Sequence, residues 1–327
     1  MTTQLHAGAT LAAFIRSATT SVEGTTSGSF DSTYVANSIS VDNGINSDFN
    51  SNYLSTPVFT TVTTYCFRGD FYNSATGTNS NPWVAFYNSS GTRVAHLIMN
   101  ASQQVAFAFW NGTTYTTSSF VTRPVWSTRG TLVVKITCGA SGTYDVLWNG
   151  ASILSGSITS ASCNNIAQTR VYNGCYNNMG YWSQIMGADY DISSSHYSTL
   201  AINGNSASNT GQSSGVYTDV NESPLDDATM INISTSGNKA GVTHAALTLP
   251  SGYAISAAII NARGRVAGSI TDGKLGWRYG GTNYSSAGKS YTSSFEPRSL
   301  ISTTNPGTST AWDQTSYNAA ELYLEAA

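Results

Sequence analysis

Charge is what this chain has least of. Of 327 residues, 14 are Lys or Arg and 17 are Asp or Glu, so 9% are charged, against roughly 25% in an average globular domain. The formal net charge is -3 and no long run of like charges occurs, which argues against a partner held mainly by phosphate neutralisation and so against nucleic acid. No stretch approaches the roughly 18 apolar residues of a membrane-spanning helix. The opening MTTQLHAGATLAAFIRS also lacks a basic segment followed by a long apolar core, so neither signal-peptide export nor membrane insertion is expected. Cys66, Cys138, Cys163 and Cys175 show no Cys-x-x-Cys spacing and no neighbouring His, which disfavours a zinc site. Reduced, buried thiols are the expectation, with Cys163 and Cys175 able to bridge a loop in an oxidising medium.

Carboxylates are scarce where catalysis would need them. Between Ser21 and Ala188 the acids are Glu23, Asp31, Asp42, Asp48, Asp70 and Asp145, with no pair set to face each other across a glycosidic bond. Asp189 and Asp191 alternate onto one strand face but lie beside a linker. His6, His96, His196 and His244 are scattered and no Gly-x-Ser-x-Gly elbow occurs, so a nucleophilic triad is not expected either. His96, inside VAHLIM, reads as a strand residue with a satisfied ring nitrogen. The run Asp42-Asn43-Gly44-Ile45-Asn46-Ser47-Asp48-Phe49-Asn50 spaces oxygens as a calcium loop does, but it lacks the closing acid of an EF-hand and reads as an Asx-turn loop. The expectation is a protein that is not an enzyme and has no cofactor or metal.

What fills the solvated positions instead is Ser, Thr, Asn and Gly, which suit sheets and loops better than helix interiors. The 7 Trp, 19 Tyr and 11 Phe supply ample surface to bury, so disorder is disfavoured. Residues 1–20 read as a docking arm or short helix, because Leu11, Phe14 and Ile15 fall at i, i+3 and i+4. From about Ser21 the text becomes short alternating segments: STYVANSISV, PVFTTVTTYCF, WVAFYN, VAHLIM, VAFAFW, LVVKIT, TYDVLW and ASILSGSI. Asn88-Ser89-Ser90-Gly91, Asn111-Gly112 and Asn149-Gly150 punctuate them as hairpin turns. YWSQIMGADYD closes this unit at residue 191. A polar linker spans 192–212, and residues 213–327 read as a second, smaller β-sandwich ending in the strand AAELYLEAA. The fold class is therefore all-β, with two sandwich domains.

FDSTYVANSISV, the pair WVAFYNSSGTRVAHLIM and VAFAFWNGTTYTT, the line RGTLVVKITCGASGTYDVLWNGASIL and the closing GYWSQIMGADYD together resemble a concanavalin A-like or laminin-G-like jelly roll over residues 21–191. The second half, with YTDVNESPLDDATMI, AIINARGRVAG, KLGWRYGGTNY and TAWDQTSYNAAELYLEAA, is similar to a module of tailed-bacteriophage virion proteins. That resemblance implies a virion structural protein, assembled in the host cytoplasm and exposed on the extracellular particle. It would be a tail fibre or tail-associated protein, or alternatively a capsid decoration or head fibre protein; a glycan depolymerase is a more distant reading. The implied partners are other virion proteins, copies of itself with three-fold symmetry expected, and host-surface carbohydrate.

Sugar rings stack on exposed Trp and Tyr faces, which makes the loop aromatics Tyr115, Trp126, Tyr172, Tyr176 and Tyr181 the candidate binding residues. Trp83, Trp110, Trp148 and Trp277 are expected to fill the cores. In the second half, Arg263 and Arg265 alternate onto one strand face and are expected to pair with Asp226 or Asp227, within the domain or across a subunit contact.

Overall fold

The computed structural model describes residues 4–8, 15–16, 21–24, 38–41, 53–72, 81–125, 127–172, 180–207, 209–220 and 228–327. The chain divides into two compact units, Met1–Ser198 and Thr199–Ala327. The first opens with β1 (Gln4–Gly8), β2 (Ile15–Arg16), β3 (Ser21–Gly24), β4 (Ser38–Val41), β5 (Leu54–Ser55), β6 (Thr64–Tyr72), β7 (Asn81–Tyr87) and β8 (Arg93–Met99). It continues with β9 (Gln104–Trp110), β10 (Tyr115–Thr117), β11 (Val121–Thr122), β12 (Gly130–Thr137), β13 (Gly139–Trp148), β14 (Ala151–Ser160), β15 (Gln168–Val171) and β16 (Gly180–Ala188).

These strands form two eight-stranded antiparallel sheets. The first runs β14-β13-β12-β6-β16-β4-β3, with β1 also on β16, and the second runs β10-β9-β8-β7-β15-β5-β2, with β11 also on β9. This is the jelly roll that the sequence resembles. Of the two readings of the N-terminus, arm or short helix, the helical one fails where residues are described: Gln4–Gly8 is a strand, running from Gln4 opposite Ala188 to Gly8 opposite Ile185, and Ile15–Arg16 is another, while Leu11 and Phe14 lie outside the described residues. The partner of Gln4–Gly8 lies almost the whole unit away in sequence, so local spacing of Leu11, Phe14 and Ile15 carried no information about it.

Asparagine sets the register of the hairpins. In the loop after β7, Asn88 Oδ1 accepts the N–H groups of Ser90 at 3.1 Å and Thr92 at 2.9 Å. Asn100 does the same for Ser102 and Gln104 after β8, both at 3.0 Å. Asn111 does it for Thr113 at 3.0 Å and Thr114 at 2.9 Å after β9. These are Asx turns, in which a side chain stands in for a backbone acceptor. Asn149 (φ 50°) and Gly150 (φ 82°) make the two-residue turn between β13 and β14, both in the left-handed region that such a hairpin demands.

The core lies between the sheets. Trp182 is fully buried, with ring centroids 4.7 Å from Phe71 and 5.9 Å from Phe67, and its Nε1–H donates to the Tyr172 carbonyl at 2.7 Å. Phe86 of the second sheet meets Tyr65 and Phe67 of the first edge-on, at 5.8 and 6.2 Å. Burial at roughly 1.5–3 kcal/mol per large apolar side chain makes this layer the main source of cohesion. On the outer face of the first sheet, buried Arg68 and Asp70 pair at 3.6 Å. Gln184 Oε1 accepts from Arg68 at 3.0 Å and Thr131 Oγ1 donates to Asp70 at 2.7 Å, so the two charges are hydrogen-bonded as buried charges must be.

The second unit contains β17 (Ile202–Asn205), β18 (Gln212–Ser214), β19 (Asn232–Ile233), β20 (Lys239–His244), β21 (Ala258–Gly264), β22 (Asp272–Tyr279), β23 (Thr282–Ser285), β24 (Lys289–Ser290), β25 (Glu296–Ser302), α1 (Gln314–Asn318) and β26 (Glu321–Ala326). A six-stranded sheet, β17-β20-β26-β22-β23 with β24 on β22, packs against the β21-β25 ribbon. Between them Ala258, Ile260, Leu275, Trp277, Trp312 and Ala320 form the core of this smaller sandwich. The closing segment is a strand, as its alternation predicts.

Candidate functional site

Along β7, Val84 and Phe86 turn toward the core, so Ala85 and Tyr87 face the other way. Register extends that outward row across the second sheet. His96 of β8 lies opposite Ala85 on one side and Ala108 on the other, and Arg170 of β15 lies opposite Ala85 and Ser55. Two alanines thus flank His96 on a floor of small side chains, with larger groups rising at either end.

At one end Tyr115 stands opposite Trp110, with ring centroids 5.1 Å apart, and meets the His96 ring edge-on at 4.7 Å. The Arg93 guanidinium lies 4.4 Å above the Tyr115 ring. Arg93 Nε donates to the Tyr115 hydroxyl at 3.0 Å, and that hydroxyl donates to the Arg93 carbonyl at 2.9 Å. At the other end the Arg170 guanidinium is held between two rings, 4.1 Å from Tyr53 and 4.0 Å from Tyr87. The Tyr87 and Tyr172 hydroxyls are hydrogen-bonded at 3.1 Å. Stacked guanidiniums of this kind keep their forked donors while losing rotational freedom.

The electrostatics are one-sided. The eight strands of this sheet carry Arg16, Arg93 and Arg170 and not one Asp or Glu. Burial, reinforced by the nearby Arg93 charge, pushes the His96 pKa well below the ordinary histidine value, so the imidazole is neutral at physiological pH. Burial pushes the Tyr172 hydroxyl well above the usual tyrosine value, with Tyr87 adding to it. Burial also raises Tyr115, against the opposing pull of Arg93. The row therefore sets one stacked guanidinium at each end of a buried, neutral imidazole. Its strands carry no carboxylate pair for glycoside hydrolysis, and among the described residues no group of three or more His, Cys, Asp or Glu could hold a metal ion.

Of the aromatics expected to bind, Tyr115 and Tyr172 come together on this face. Neither is a loop tip: Tyr115 opens β10 and is partly buried, and Tyr172, just after β15, is 1% exposed. Tyr181 belongs to β16 in the first sheet, where its ring lies 5.9 Å from Tyr72. Trp126 and Tyr176 lie outside the described residues, as does the Asp42–Asn50 loop. Trp83, Trp148 and Trp277 are buried in the cores, whereas Trp110 is half-buried beside Tyr115. Arg93, Arg170, His96, Tyr53 and Tyr87 were not foreseen; the signal for them was a polar or cationic residue interrupting an otherwise apolar strand. In the second unit, Arg263 and Arg265 both approach the Phe295 ring, at 5.7 and 4.9 Å; Asp226 and Asp227 lie outside the described residues.

No protein-family model matches the chain, and no curated protein matches it. Among solved structures it is similar to an endo-β-1,4-glucuronan lyase from the fungus Trichoderma reesei, at 9% identity over 57% of this chain and 95% of that one, with a TM-score of 0.42. It is also similar to the alginate lyase Aly36B, at 12% identity over 49% of this chain and 85% of that one, TM-score 0.34. A third likeness is to the carbohydrate-binding module CBM66 from Bacillus subtilis, at 7% identity over 46% of this chain and 94% of that one, TM-score 0.32. Likenesses this distant assign neither substrate nor activity to the chain. They do correct one expectation: because two of the three are lyases, the reading of this chain as a non-enzyme, drawn from its missing carboxylate pair, is withdrawn.

Proposed function

We propose that the chain is a structural component of a tailed-phage virion, of the tail-fibre or tail-associated kind, whose jelly roll holds host-surface glycan on the outward face of its second sheet. The observation that carries the glycan reading is the stacking of the Arg93 and Arg170 guanidiniums against Tyr115, Tyr53 and Tyr87 on one face. Rings offer stacking surface to the apolar faces of sugars, and guanidiniums offer forked donors to carboxylate or sulfate groups. The ligand chemistry this supports is an anionic polysaccharide. The virion reading rests on the resemblance of the second half, with copies of the chain in a three-fold assembly supplying avidity. A capsid decoration protein is its alternative, and cryo-electron microscopy of particles separates the two by position and copy number.

The direct test is a titration of the whole protein with polyglucuronate and, in parallel, with neutral dextran. Binding to the polyuronate alone is expected, weakening with salt and falling about tenfold or more in Arg170→Met, the loss of a charged hydrogen bond. Equal binding of both polymers, or an unaltered Arg170→Met variant, overturns the reading.

A second reading is cleavage at the same face, where the His96 and Tyr115 rings meet at 4.7 Å. Monitoring the same mixtures for unsaturated sugar products at their ultraviolet absorbance distinguishes elimination from binding alone.

A further inference from the structure

The backbone brings Cys138 and Cys163 together at the open end of the β13–β14 hairpin, with their thiols in interaction range. Backbone contacts place them so. Cys138 follows β12 and donates its N–H to the Thr63 carbonyl at 2.7 Å. Cys163 lies in the turn after β14, where its N–H reaches the Ser160 carbonyl at 3.3 Å and its own carbonyl accepts the Gly139 N–H at 2.8 Å. The residue next to one cysteine is thus bonded to the backbone of the other. Cys163 is fully buried, and Cys138 is partly exposed. Cys66 is engaged elsewhere, its sulfur hydrogen-bonded by the Ile192 backbone.

We propose that Cys138 and Cys163 are an oxidation site that closes to a disulfide by exchange with a small-molecule disulfide such as oxidised glutathione. The Cys163–Cys175 bridge that the sequence left open involves Cys175, which lies outside the described residues, and it is an outcome of the test below. The reagent meets Cys138, the sulfur that solvent reaches. Cys138 Sγ attacks one glutathione sulfur, the reagent's S–S bond breaks, and the first glutathione leaves with the proton Cys138 carried. Cys163 Sγ then attacks Cys138 Sγ, the mixed disulfide breaks, and the second glutathione leaves with the proton of Cys163. Two protein thiols become one disulfide, one glutathione disulfide becomes two thiols, and two electrons pass from protein to glutathione. Proximity favours the second step: the backbone bond between Gly139 and Cys163 keeps the buried sulfur beside the capped one, so the exchange is intramolecular.

The product joins the two ends of the β13–β14 hairpin, the outermost pair of the first sheet, into a covalent loop of roughly 25 residues, which restricts the unfolded chain far more than the folded one. The inference does not depend on glycan binding. Its test uses the full chain, equilibrated in oxidised or in reduced glutathione, alkylated, digested without reductant and mapped by mass. A cross-linked peptide pair carrying Cys138 and Cys163 is expected, together with a rise of roughly 5–10 °C in the melting temperature of the first unit that reductant reverses. Cys175→Ser and Cys66→Ser should keep both effects, and Cys138→Ser should lose both. A Cys163–Cys175 cross-link, a persistent glutathione adduct on Cys138, or oxidation without a melting shift overturns the proposal. Should Cys138→Ser fail to fold, the peptide map of the unaltered protein decides alone.

Discussion

Replacing Gly130 with alanine adds a single methyl group where an indole already lies. Gly130 begins β12 and faces Phe71 across the sheet. Leu132, two residues on, is opposite Trp148, so the Trp148 ring reaches diagonally back over the glycine. A Cβ at Gly130 would collide with Cζ2 and Cε2 of that ring, and even Cη2 would be only 2.7 Å away. The ring has little room to withdraw, because Trp148 is 8% exposed and its centroid is 5.6 Å from that of Trp83. Forcing it aside combines overpacking, about 1–3 kcal/mol, with loss of the aromatic contact to Trp83, about 0.5–1.5 kcal/mol. We expect Gly130→Ala to destabilise the first unit by about 2–4 kcal/mol. Urea unfolding followed by tryptophan fluorescence reads the change. The decisive measurement is a double-mutant cycle with Trp148→Leu. That variant is itself costly, at about 3–5 kcal/mol, but it leaves nothing for the methyl group to strike, so adding Gly130→Ala should cost little more. Strictly additive losses would show that the indole is not what excludes a side chain at Gly130, and the reasoning would fail.

Two further predictions concern pH. The hydrogen bond from Lys135 Nζ at 2.7 Å holds the Asp191 pKa down at about 2, below the ordinary aspartate value of 3.8; the resulting stability is present above pH 3.8 and is lost as pH falls through about 2. Because Asp191 is 58% exposed, Asp191→Asn should remove less than about 1 kcal/mol and flatten only that acid limb in high-precision melting curves. For His96, burial lowers the folded pKa well below 6.5, so the unfolded chain binds the extra proton and stability falls as pH drops below about 6.5. His96→Asn should reduce that slope between pH 6.5 and 5, and an unchanged slope would mean that the ring binds its proton equally well in the folded and the unfolded chain.

Much of the fold could be read from local chemistry because local chemistry builds it. The segments WVAFYN, VAFAFW and TYDVLW become β7, β9 and β13, PVFTTVTTYCF enters β6 only from Thr64 onward, and the Asn-Gly pair at 149–150 sits in the left-handed conformations its residue types allow. What could not be read was pairing over distance. QLHAG has no strand signature beyond Leu5, and it becomes β1 only because the edge of β16 from Ile185 to Ala188 is available to it. The short strands β10 and β11 were equally opaque, since each owes its existence to β9, on which both pair.

The candidate face was hidden for a different reason. Alternation marks a strand with one wet face, but β7, β8 and β9 are buried almost throughout, and a strand buried on both faces shows an unbroken apolar run in which direction is lost. Within such a run the informative residue is the one whose burial costs free energy without a partner. In RVAHLIM these are Arg93 and His96; in QTRV it is Arg170. Each belongs to a strand that looks unremarkable alone, and only the antiparallel register, His96 beside Ala85 and Ala85 beside Arg170, places them in one row. A lone strand histidine is more often structural than functional, and that is how His96 reads when its strand is taken by itself. On the second sheet that register joins it to Arg93 and Arg170, each stacked on tyrosine rings. On the first sheet Arg68 is instead held by a carboxylate, Asp70 at 3.6 Å, and it is the stacking of guanidinium on phenol, a contact no single strand foretells, from which the glycan proposal starts.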